Sequence, residues 1–406
     1  MKEFGKNKMK KKIVLINVVC NGSTGKIVYD IAKKAESENF DTYCFFGRGN
    51  PKKDTKCIKF GNKLSVLLHV LLARLGFNGS GSYFATKKMV KELRKINPDI
   101  IHMHNIHGYY INFKVLFKYL KNEYKGKIIW MLHDCWAFTG HCSYYSTVKC
   151  FKWQKQCHHC PQLKYYPKEY FDTTKREFKL KKELFSGLKN VLLVTPSNWL
   201  ENQVKKSFLN QYPIKTIHNG IDFDIFKPTL DNDIYEKYNI PRGKKILLGV
   251  ANIWEGRKGF NIFLEMSKII KDDEVIVLVG LNKKQLQNLP RNIVGIIRTD
   301  NQAELVKIYS IASVFVNPST EETFSLVTVE AMACGTPVVV CGLTAPRELV
   351  NEKVGLVLDK YTAEDYYKAY QNIMKKNLNK KDIINHAHNF SKEQMTQKNI
   401  EIYKEK

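Results

Sequence analysis

Two doubly wound α/β domains, facing each other, are what this 406-residue sequence predicts. Three observations carry the expectation. Apolar, β-branched runs alternate with helix-patterned segments, as in parallel sheets covered by helices on both faces. The alternation comes in two sets, parted by the turn-rich stretch His218-Asn219-Gly220-Ile221-Asp222. A chain of this length usually exceeds one domain, and a hydrophobic content of 44% suffices for two cores.

In the first set the apolar runs place strands at 13–19, 42–47, 99–104, 127–133, 191–196 and 214–218. Helical patterns fall between them, as at 24–37 and 85–96. The second set places strands at 246–251, 275–280, 293–298, 314–317, 337–341 and 356–359, with a helix at 260–270. The expected domains are 1–222, carrying a cysteine-rich insertion at about 135–165, and 223–390. Residues 391–406 read as a helix. In such sheets ligands bind at the carboxyl ends of the strands, so a site is expected in the cleft between the domains.

Lys plus Arg number 66 against 39 Asp plus Glu, a formal net charge of +27. That excess favours acidic partners: nucleic acid, anionic membrane or phosphorylated substrates. The one dense run, Lys2 to Lys12, reads as a solvated tail able to touch anionic lipid heads. No secretory signal is evident, since the apolar segment after these lysines is short and carries Asn17. No window reaches a membrane span; the nearest, Leu64 to Leu75, is interrupted by His69 and Arg74 and reads as a buried or interfacial helix. The ten cysteines are accordingly expected to be thiols in a reducing cytosol.

The most informative stretch runs from Pro318 to Val340. It reads as strand end, loop, helix and next strand, with Ser319 or Thr320 available to cap the helix and Gly335-Thr336-Pro337 to end it. Glu322 lies on the loop and Glu330 on the helix face about two turns later. Between them the amides of Phe324, Ser325 and Leu326 lie at the positive helix end, which holds phosphate without a lysine. A carboxylate further along accepts ribose hydroxyl protons. The constellation suits a nucleotide diphosphate carrying a sugar. Upstream, Lys258-Gly259 follows the first strand of the second set and offers a point charge to a diphosphate.

These residues resemble the Glu-x7-Glu signature of retaining family-4 glycosyltransferases of the GT-B fold, and Ala331 to Val339 resembles that family's continuation. The resemblance implies transfer of a hexose-type sugar from a UDP- or GDP-sugar to a hydroxyl of a growing, lipid-linked surface glycan, by an enzyme at the inner face of the membrane. It implies that Glu330 holds the ribose, Glu322 a sugar hydroxyl and Lys258 the leaving diphosphate, with no catalytic metal. The family pairs that lysine with an arginine about six positions earlier, where this chain has Asn252; Arg257, beside the lysine, would point elsewhere if the segment is helical. It also implies that the last helix returns to the first domain.

Gly22-Ser23-Thr24-Gly25-Lys26 tempts a phosphate-loop reading, but Cys20 stands five before Gly25 and Ile27 where Ser or Thr should hold magnesium. The segment is then a tight strand-to-helix turn; the resemblance makes Gly22 and Gly25 part of a glycine-rich loop approaching the donor. His102 and His104 lie on one side of their strand, with no third metal ligand in reach. The resemblance places His104 beside the reacting sugar, whereas His102 reads as a hydrogen-bonded core residue. His133 and Asp134 could face the same cleft.

Cys142, Cys150, Cys157 and Cys160 fall within nineteen residues that show no helical period. In a reducing compartment the cluster favours a structural zinc site with four thiolate ligands, against the alternative of free buried thiols. The segment from Thr139 resembles an insertion of polysaccharide-assembly glycosyltransferases and could border the acceptor. Asp222-Phe223-Asp224 matches the Asp-x-Asp of a metal-dependent fold but sits in the interdomain turn and reads as linker. Two other readings stay open: a sugar-nucleotide epimerase of similar form, and a basic nucleic-acid-binding protein with a zinc module, although the lysines form no stripe.

Overall fold

The computed structural model describes residues 10–51 and 55–405. Lys2, Lys6 and Lys8 of the N-terminal run lie outside them, whereas Lys10, Lys11 and Lys12 are described and Lys12 opens the first strand. The described chain forms two compact units: residues up to Ile217 together with Thr396 onward, and His218–Met395.

The first unit is built on a seven-stranded sheet: β1 Lys12–Val19, β2 Asp41–Arg48, β3 Cys57–Lys59, β4 Ile100–Met103, β5 Lys127–Met131, β6 Val191–Thr195 and β7 Ile214–Thr216. Its order is β3-β2-β1-β4-β5-β6-β7, with every pairing parallel. The central strands are apolar on both faces: Ile13 to Ile16 of β1 are fully buried, as a sheet covered twice requires. β3 has no counterpart in the expected strands. One helix cover is an aromatic cluster in which Phe117 and Phe185 lie 4.5 Å apart and Trp130 meets Phe185 edge-on at 5.2 Å. Residues 396–405 complete this core. The Tyr403 hydroxyl lies 2.6 Å from His102 Nδ1, and Lys127 Nζ donates to the Ile402 carbonyl at 2.7 Å.

The second unit has β8 Lys245–Val250, β9 Glu274–Val279, β10 Ile293–Ile296, β11 Val314–Asn317, β12 Val338–Cys341 and β13 Gly355–Leu358. Their order is β10-β9-β8-β11-β12-β13, again all parallel. Both sheets reverse winding direction at one point, between β1 and β4 and between β8 and β11. There the loops leave in opposite directions and open a crevice at the carboxyl ends.

The division falls after Ile217 and not after 222. His218 already packs with the second unit, its ring 5.4 Å from Phe390 and 5.9 Å from Phe324, and Ile221 bridges to Ser391. Asp222 accepts from Lys392 Nζ at 2.7 Å and its carbonyl takes the Phe226 amide, so this Asp-x-Asp is tied into a turn. The segment expected as a buried or interfacial helix does form one, Lys63–Arg74. It is not buried: Leu64, Leu67, Leu68 and Leu71 are 52–65% exposed, and of its residues only His69 and Ala73 are fully buried.

Candidate functional site

In the second unit the loops after β8 and β11 meet at the winding reversal. After β8 the chain makes a 3-10 turn, Gly256–Lys258, and Gly259 then takes φ +74°. A Cβ at Gly259 would stand 2.6 Å from Pro318, so glycine permits both the left-handed turn and the approach of the two loops. Thr320 N donates to the Arg257 carbonyl at 2.9 Å, and Arg257 Nη1 to the Glu321 carbonyl at 3.3 Å. Arg257 thus reaches the Glu321 loop; Asn252 is exposed.

This docking brings together two residues 64 positions apart. Lys258 Nζ forms an ion pair with Glu322 Oε1, both side chains less than one-fifth exposed. Glu322 is itself held through its backbone: its amide donates to Thr344 Oγ1 at 3.1 Å and its carbonyl accepts from Ala345.

The helix after the loop is Leu326–Ala333, and its cap is Ser325, not Ser319 or Thr320. The reason is Asn317 at the end of β11. Its Oδ1 takes the Ser319 amide while its Nδ2 donates to Ser325 Oγ at 2.9 Å and Thr328 Oγ1 at 3.1 Å, so the loop stays open until 325. Ser325 has φ +96°, a conformation that costs a non-glycine residue on the order of 1–3 kcal/mol and clusters at binding sites. The first-turn amides of the helix have no partner within it. Phe324 is buried against His218 and Phe390, which fixes the loop from below. About one turn into the helix, Glu330 Oε2 accepts from Tyr309 OH at 3.0 Å. Burial, and then the Glu330 carboxylate, raise the Tyr309 pKa, so that its phenol stays protonated and donating.

At the reversal of the first unit, Asn17 ties the two loops together. Its Nδ2 donates to the Val19 carbonyl and Thr24 Oγ1, and its Oδ1 accepts the Asn105 amide at 3.3 Å. Gly22 starts the helix Gly22–Ser37 at φ +71°, exposed with open space around it. Gly25 is buried, and a Cβ there would meet the Cys20 carbonyl carbon at 2.6 Å. His104 Nδ1 lies 3.0 Å from His133 Nε2, and the His102 and His104 rings are 4.3 Å apart. Burial, then His102 and His133, push His104 well below the usual histidine pKa. It is therefore neutral at physiological pH, with a buried Nε2 that has no hydrogen-bond partner. Asp134 pairs with His107 Nε2 at 3.0 Å and takes the Trp136 amide. Burial works to raise its carboxyl, but His107 and that amide hold it below the usual value.

Comparison with known proteins decides what this machinery belongs to. The model for Glycosyltransferase Family 4 matches residues 24–225, and that for Glycosyl transferases group 1 matches residues 244–376. The chain is a family-4 glycosyltransferase. Its fold is GT-B. A protein of Escherichia coli K12 named for colanic acid biosynthesis, the glycosyl transferase WcaC, is 22% identical over 361 residues, 84% of this chain and 86% of that one. Sucrose-phosphate synthase from Thermosynechococcus elongatus superposes with a TM-score of 0.70 at 17% identity, over 97% of this chain and 98% of its own. Anabaena HepE in complex with UDP-glucose gives 0.65 at 15% identity, over 97% and 99%.

In this glycosyltransferase the sequence singled out Lys258, Glu322 and Glu330 without showing what holds them. Asn317 and Tyr309 do so in the second unit, and Asn17 fixes the loops of the first. Each lies at a strand end or on a helix face as a polar residue among apolar ones, a signal available in the sequence and not used. The four clustered cysteines lie after β5, in the segment that begins beside Asp134.

Proposed function

We propose that this glycosyltransferase moves a hexose-type sugar, with retention, from a UDP- or GDP-sugar to a hydroxyl of a growing lipid-linked glycan. The observation that carries the reading is the Lys258–Glu322 pair beside the amides opening the Leu326–Ala333 helix, with Glu330 about one turn along it. The anomeric C–O bond to the diphosphate breaks, and a new one forms to the acceptor oxygen. The acceptor proton passes to the leaving phosphate, so no glycosidase-like carboxylate pair is needed. Lys258 and the helix amides stabilise the charge that grows on the diphosphate. This reading assigns that task to no divalent cation. Glu322 holds a sugar hydroxyl, Glu330 the ribose, and neutral His104 lies beside the donor sugar.

Thermal unfolding with UDP, GDP and their sugars tests the donor. Saturation at about a hundredfold over Kd should stabilise the chain by about 2.7 kcal/mol for the correct nucleotide. No shift with any nucleotide would remove the reading. Conversion of donor to an epimer without acceptor would favour the epimerase instead.

A lipid-linked acceptor requires the enzyme to work at the membrane surface. No helix among the described residues is long and apolar enough to cross one. The leucine face of the helix Lys63–Arg74 supports peripheral contact on the cytoplasmic side. Phe84, 83% exposed, and Lys88 line one groove with Leu64 and Leu68, and the exposed Lys63 opens the helix. Apolar side chains ringed by lysines match the interface of an anionic bilayer. The protein is expected to co-sediment with vesicles containing anionic lipid, and Leu67→Asp with Leu71→Asp to release most of it. Binding that is absent, or unaffected by the double substitution, would reject this face.

A further inference from the structure

The insertion after β5 gathers four thiols that the sugar-transfer reading does not use. Cys142, Cys150, Cys157 and Cys160 come from separate turns of an irregular loop, yet all four line one cavity of about 20 Å³, together with Trp153 and Thr174. All are free thiols. Two already accept backbone hydrogen bonds: Gly140 N donates to Cys157 Sγ at 3.1 Å and Gln162 N to Cys160 Sγ at 3.4 Å. Hydrogen bonds of this kind orient metal ligands and offset their charge. Gly140 is required for its bond, since a Cβ there would stand 2.6 Å from Cys157 Cβ and from the Thr174 carbonyl.

A cation lies beneath the cluster. Lys181 is 1% exposed and donates to the carbonyls of Trp136 and Thr139 at 2.8 and 3.1 Å. Among its charged neighbours the buried Glu177 comes first, ahead of Cys157 and Cys142. A zinc ion with four thiolates has a net charge of −2, which would add to the offset of this buried ammonium.

We propose that Cys142, Cys150, Cys157 and Cys160 bind one structural zinc ion as thiolates. Binding displaces four thiol protons to solvent. Among the described residues no three donors already stand at ligand spacing. Zn–S bonds of about 2.3 Å would draw the sulfurs to about 3.8 Å from one another around the shared cavity. The loop that closes on the metal carries Cys135, whose amide bonds the Ser143 carbonyl at 2.9 Å, and Trp136, whose amide bonds Asp134. Zinc would thereby fix the segment just after β5 that carries His133 and Asp134.

The test is elemental analysis of the full chain, purified without chelator or metal-affinity resin. About one zinc per chain is expected. Cys157→Ser should lower it several-fold, whereas Cys57→Ser, at a thiol outside the loop, should keep it. Should Cys157→Ser fail to fold, cobalt exchange into the wild-type protein decides: a thiolate-to-cobalt charge-transfer band with intense tetrahedral d–d bands is expected. Zinc-free protein that takes up neither zinc nor cobalt, with the four thiols freely titratable or joined in disulfides, would overturn the proposal.

Discussion

Lys258→Ala is expected to lower turnover by about 10²- to 10³-fold, the usual effect of deleting one donor aimed at developing charge. The Michaelis constant for the donor should change less, because the diphosphate gains charge as the bond breaks. The structure adds a second cost. Lys258 neutralises Glu322, whose side chain is 13% exposed. Without the ammonium, a carboxylate faces the phosphates unpaired, and the like charges repel. Lys258→Ala combined with Glu322→Gln should therefore lose less than the product of the two single effects, as coupled neighbours do. Steady-state release of nucleotide in the presence of acceptor measures all three. Wild-type turnover in Lys258→Ala would mean that the leaving group is stabilised by other groups, with Arg257 on the Glu321 carbonyl the first to examine.

Glu330→Gln is expected to weaken donor binding by about 10- to 100-fold. A hydrogen bond to a charged group contributes about 1.5–3 kcal/mol, and each factor of ten corresponds to about 1.4 kcal/mol. Glutamine is the better probe than alanine. Tyr309 is fully buried and its hydroxyl donates to Glu330 Oε2. Alanine would strand that hydroxyl at a cost of about 1–3 kcal/mol in stability, whereas the glutamine carbonyl can still accept it. Tyr309→Phe supplies the control: it removes the support but not the carboxylate, and should weaken binding less. Isothermal titration with nucleotide reads each variant. An unchanged Kd in Glu330→Gln, with unchanged turnover, would remove the ribose assignment.

Strand positions were legible because a strand buried on both faces must be apolar throughout. Twelve runs marked twelve strands to within two residues or so. β3 escaped because three residues at a sheet edge, Cys57–Lys59, need no apolar run and show none. The Glu322 and Glu330 spacing was legible because one loop and one helix hold both. The Lys258–Glu322 pair was not, since it depends on Gly259 letting one loop reach Pro318, a tertiary contact with no sequence period. The cap failed for a related reason: Ser319 is followed by residues that look able to start a helix, but Asn317 binds both ends of the loop and delays it. The leucines of the helix Lys63–Arg74 show the limit of composition. An apolar stripe states that a face avoids water, and in the described residues nothing of the chain covers it.

Residues 396–405 belong to the core of the first unit, where Tyr403 is buried against His102 and Phe40. The whole of the second unit lies between them and Ile217 in the chain. On a ribosome adding about 5–20 residues per second, the first sheet must wait roughly ten to forty seconds after Ile217 for the tyrosine that closes beside His102. During synthesis it is the later half that can complete its core first, and a nascent chain held at residue 217 lacks the tyrosine that covers His102.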